Sequence, residues 1–202
     1  MLFRSLSSDE EKVKIICTLK DDYSKFIIAK TLQSDEKKSE AISMIRDEVY
    51  ITEIAVTLQS DDKKIVIIRK IKKDGNKIKI AFKLKEDNKR LEAIEMIDEE
   101  EKKMAIVDKL ELDDNKLAMI DIIENDWWKT QIACSIESDD KKIAAIAKIT
   151  NRAYKKTIAE SIKSDAKRKK IIYDLEKGED ITNEEESLKP EIVEGKGFLE
   201  ER

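Results

Sequence analysis

Seven aspartates stand 26 residues apart: Asp9, Asp35, Asp61, Asp87, Asp113, Asp139 and Asp165. No insertion breaks the step, and other columns keep it. Leu or Ile lies three residues before each Asp, from Leu6 and Leu32 to Ile162, and isoleucine lies seven after it in every copy, from Ile16 to Ile172. Ten after it comes Leu19, Ile45, Ile71, Ile97, Ile123, Ile149 or Leu175. So strict a step admits few folds, because every unit must build the same local structure and bury the same face against its neighbours.

The columns predict two helices per unit. Apolar residues at 4, 7 and 10 after the Asp form one stripe of an amphipathic helix of about eleven residues. The Asp itself is expected at the N-cap, where its carboxylate meets orphan amides and the positive helix end. A second helix follows from the acids Asp22, Glu48, Asp74, Glu100 and Asp126, with isoleucine six residues on (Ile28, Ile54, Ile80, Ile106, Ile132) and then a small residue, Ala29, Ala55, Ala81, Val107 or Ala133. The same isoleucine and small residue recur in the last unit as Ile158 and Ala159. Helices this short are marginal alone and must bury their stripes against one another.

This organisation resembles the α-solenoids of the HEAT, armadillo and tetratricopeptide class in architecture, with a shorter unit and none of their consensus motifs. The resemblance implies an all-α fold: a right-handed α-solenoid of six helix pairs plus a C-terminal capping helix over residues 1–176. Lys169 stands where interior copies prefer an apolar residue, as suits a terminal unit, and Gly178 is placed to close its helix. Residues 177–202 drop the period, hold the only proline and are acidic, and are expected to be a disordered tail.

Composition narrows function. The chain has 41 basic and 45 acidic residues and no histidine, which removes the commonest general base and metal ligand. It has no CxxC, phosphate loop or nucleophile elbow. A non-catalytic protein without cofactor or metal is expected. No apolar run is long enough to span a membrane, and the two lone cysteines, Cys17 and Cys134, point to a reducing, cytoplasmic setting and to buried or idle thiols.

Two sets of residues are candidates for binding. A basic column lies three after each Asp, namely Lys12, Lys38, Lys64, Arg90, Lys116, Lys142 and Arg168, and a second adds Lys25, Lys77, Lys103, Lys129 and Lys155. These either pair with the acids as an ionic ladder, the favoured reading, or form a basic ridge for a phosphate backbone or an acidic partner; on a third reading the acidic tail itself occupies that ridge. Aromatics gather at the start of the second helix: Tyr23, Tyr50, Trp127, Trp128 and Tyr154. Neighbours on a helix point about 100° apart, so one of the two tryptophans should face solvent as an interface anchor. The expected function is a protein–protein interaction scaffold with an unidentified protein partner; the alternative is binding to a nucleic-acid backbone through the lysines, marked by steep salt dependence.

Overall fold

The structure, a computed structural model, describes residues 8–178 and residue 181. Leu6 and nearly all of the 177–202 tail lie outside the described residues. Those described form thirteen α-helices and no strand: α1 (Asp9–Thr18), α2 (Asp22–Ala29), α3 (Asp35–Ser43), α4 (Glu48–Ala55), α5 (Asp61–Ile68), α6 (Asp74–Ala81), α7 (Asp87–Glu95), α8 (Glu100–Val107), α9 (Asp113–Ile122), α10 (Asp126–Ser135), α11 (Asp139–Ala147), α12 (Arg152–Glu160) and α13 (Asp165–Lys177). Each starts 13 residues after the one before. The 26-residue step therefore contains a finer one of a single helix, and the two expected helix types share one plan.

The cap differs from expectation. The periodic acid is the first helical residue, and the residue before it is the N-cap: Ser8, Ser60, Ser138 and Ser164 accept from the amide three positions on, while Asn125 and Asn151 accept from the amides two and three positions on. Cap and first-turn acid thus share the helix start between two adjacent side chains. Only α13 ends on a left-handed residue, Gly178, as its position suggested.

Extensive contacts join helices one or two apart in sequence, such as α1 with α2 and α3, and α10 with α9 and α12. Odd-numbered helices pack on odd ones and even on even, which gives two layers with the core between them. The isoleucine column fills it: Ile16, Ile68, Ile94, Ile120 and Ile146 are fully enclosed, and the last member, Ile172, is half-buried at the end of the array. Ala29, Ala55, Ala81, Ala133 and Ala159 are also enclosed, so neighbouring helices meet closely there. Ala81→Leu is expected to overpack this contact and cost about 1–3 kcal/mol in chemical denaturation.

Candidate interaction surface

The periodic acids reach between helices. Asp9 Oδ2 accepts from the amides of Gln33 (2.9 Å) and Ser34 (2.8 Å), which lead into α3. Asp22 does the same for Arg46 and Asp47, and Asp35 for Gln59 and Ser60. The series continues through Glu48, Asp61, Asp74, Asp87, Glu100, Asp113, Asp126 and Asp139, each accepting from residues 24 and 25 positions on. The first turn of helix n thereby satisfies amides at the start of helix n+2, which its own N-cap cannot reach.

The lysines complete the tie. Lys12, Lys25, Lys38, Lys64, Lys116 and Lys142 donate to the carbonyls of Thr31, Met44, Thr57, Lys83, Ser135 and Ser161 at 2.7–3.2 Å, each 19 residues on; Lys77 reaches Met96 in the same way. A cation in a first turn opposes its own helix dipole. Here the ammonium lies against the last carbonyls of the following helix, where a positive charge is favoured. Arg90 and Arg168 fold back instead, to the carbonyls of Leu84 and Ile162 and to Asp87 and Asp165. Lys103, Lys129 and Lys155 are half-buried and donate to no carbonyl of this series.

These side chains face into the packing rather than out of it. Lys38, Lys64, Lys77 and Lys142 are buried, and Lys64 is the extreme at 1% exposure, 2.9 Å from Asp61. Such a row of ammonium groups cannot stand as an open ridge. Burial works to raise the Asp61 carboxyl pKa, but the Lys64 ammonium and the Lys85 and Glu86 amides more than offset it and hold it below the ordinary 3.8. Asp74 is held down in the same way by Lys77 and the Asp98 and Glu99 amides.

One position breaks the acid series and explains itself. Arg152 stands where the next acid would be, and its guanidinium donates to the carbonyls of Leu175 and Glu176. About 24 residues on, where a helix start would take the acid, the chain offers instead the end of the longer α13, so the sign of the charge inverts with the sign of the helix end. Arg152→Asp should therefore cost about 1 kcal/mol and fray α13, seen as faster amide exchange at Glu176–Gly178, with α1–α8 unchanged.

The aromatics lie on the even layer. Trp127, the second residue of α10, is exposed at 44%, while Trp128 is half-buried against the core; their ring centroids are 4.2 Å apart. Tyr23 on α2 is exposed, with Tyr50 of α4 6.1 Å away and itself stacked on Phe26 at 4.8 Å. Tyr154 is half-buried on α12. Tyr23 and Tyr50 are thus brought together, as are Trp127 and Trp128 on α10, whereas Tyr154 stands on the later α12 of the same layer. Val49, Ile27 and Phe82 are exposed apolar residues of this layer that the aromatic pattern does not reveal. Val49 was findable: it lies 26 residues after Tyr23 and 78 before Trp127, in one column. Cys134 is half-buried and Cys17 is exposed, with Met44 Sδ 3.5 Å away; both are free.

Among the described residues no helix is long and apolar enough to cross a membrane, and no group of His, Cys, Asp and Glu could hold a metal ion. Comparisons with protein-family models, curated proteins and solved structures find no match to this chain.

Proposed function

We propose that this protein is a non-catalytic scaffold that holds another protein against the outer face of its even-numbered helices, in a reducing, cytoplasmic setting. The thirteen helices are read as a right-handed α-solenoid of six pairs and a capping helix. One observation carries the functional reading: most of the periodic charges are used up inside the array, while the exposed aromatics follow no structural requirement of the repeat. Trp127 shares its column with Gly75, Glu101 and Ala153, so a ring is not needed there to fold the unit. A large, rigid, exposed ring beside charged side chains is the common form of an interface anchor.

Nucleic-acid binding is the second reading, and the inward set of the lysine columns leaves it less support. The test is recovery of partners from nuclease-treated lysate by wild type, Trp127→Ser and Tyr23→Ser. Both side chains are exposed, so neither change should unfold the chain. A protein retained by wild type and weakened roughly 30-fold by Trp127→Ser, as loss of a hot-spot residue implies, is the expected result. Recovery of nucleic acid alone, lost steeply with added salt, would overturn it.

A further inference from the structure

Charge is not spread evenly over the even layer. Residues 69–90, which span α6 and both of its turns, hold ten basic and three acidic residues. Lys70, Lys72, Lys79, Lys83 and Lys85 are exposed, and none is paired with a carboxylate among the described residues. Several half-buried cations elsewhere are paired, Lys63 with Glu36, Lys141 with Asp114 and Lys148 with Asp121, whereas this stretch groups five exposed lysines that have no such partner. Along the N-terminal rim of the layer the residue two before each helix is Lys20, Arg46 and Lys72 on α2, α4 and α6, then Asp98 and Glu124 on α8 and α10. The basic surface also carries apolar area, with Phe82 at the end of α6 and Val49 on adjoining α4 exposed at 44% and 48%.

We propose that this α6 surface is a docking site for the chain's own C-terminal segment, residues 182–202. That segment has the complementary chemistry: seven acidic residues against three basic, interleaved with Leu188, Ile192, Val193, Phe198 and Leu199. Gly178, at φ 77°, stops α13 and turns the chain, and Ile181 is buried again in the core, so the segment departs from the body of the fold and not from a projecting helix end. Even helices stack about 8–10 Å apart, which puts α6 roughly 30 Å from α12. Twenty-one residues extend to about 70 Å, more than enough. Docked there, the segment covers α6 and competes with any other acidic ligand of that face.

The test uses the full chain with Cys17→Ser and Cys134→Ala, spin-labelled at Gly75→Cys and Ser187→Cys. A Cβ at Gly75 meets nothing within 4 Å, so the label sits on α6 without strain. Electron–electron distance measurement should give a narrow, short distribution in low salt. Lys72→Glu/Lys79→Glu/Lys83→Glu, all surface changes that leave the circular dichroism intact, should cut the short population several-fold. A broad distribution in the parent, unchanged by the triple reversal, overturns the proposal. So does a coupling that appears only when singly labelled chains are mixed, which assigns the surface to a second copy. Neither result bears on the Trp127 experiment, which reads a different end of the layer.

Discussion

Replacing Asp61 with alanine should destabilise the fold by about 3–5 kcal/mol, the cost of removing one partner from a buried ion pair. Three losses coincide in this substitution. Lys64, at 1% exposure, is left with only the Lys83 carbonyl as a partner. The amides of Lys85 and Glu86 lose their acceptor, 2.6 and 3.0 Å away. The start of α7 then has no side-chain cap, since its N-cap Glu86 makes no capping bond of its own. The matched control is Asp140→Ala, which breaks only the exposed pair with Lys167 and should change stability by about 0.5 kcal/mol or less. Urea denaturation of both variants reads the difference. Equal, small effects would mean that the ties are incidental to stability.

Acid should dismantle the array cooperatively. Asp9, Asp61, Asp74, Asp87, Asp113, Asp126 and Asp139 are all held below their ordinary 3.8, and Glu48 below 4.5. For most of them burial alone would raise the value; backbone amides and neighbouring ammonium groups reverse it. For a group depressed in the folded state, the unfolded chain binds the proton more readily. The stability it contributes is therefore present above the unfolded value and lost as pH falls through the folded one. Because each tie joins helices n and n+2, protonation loosens every layer at once. The denaturation midpoint should be flat above about pH 5 and fall steeply below pH 4, with several protons taken up on unfolding. A midpoint that stays level down to pH 3 would show that the carboxylates are not linked to folding.

Helix content and the buried columns were legible because burial and periodicity leave the same mark: an isoleucine that every unit must enclose recurs wherever the unit does. The 13-residue step was half visible, since Asp22, Glu48, Asp74, Glu100 and Asp126 already bisect the larger one. It was obscured by the exchanged order of large and small core residues in the two layers, Ala93–Ile94 against Ile106–Val107, which makes the helices look like different types. The inter-helix role of the acids was out of reach of local reasoning. An Asp at a helix start suits a cap, and nothing within one unit shows that its carboxylate bonds 24 and 25 residues away. The anomaly lay in the lysines, whose position against their own dipole made sense only once the next helix's carbonyls were in place. Arg152 confirms the logic from sequence, as the acid series yields a cation where the partner end changes sign. That one of the two adjacent tryptophans faces solvent followed from helix geometry, but that it is Trp127 did not.

Amide hydrogen exchange at Lys85 and Glu86 tests the central claim, that the first-turn acid of one helix holds the start of the next but one. These amides precede α7 and have no helical acceptor, so their protection must come from Asp61. The account predicts that in wild type they exchange nearly as slowly as the interior of α7, and that in Asp61→Ala they accelerate before α7 itself opens. Fast exchange at both amides in wild type, or slow exchange untouched by the substitution, would contradict it.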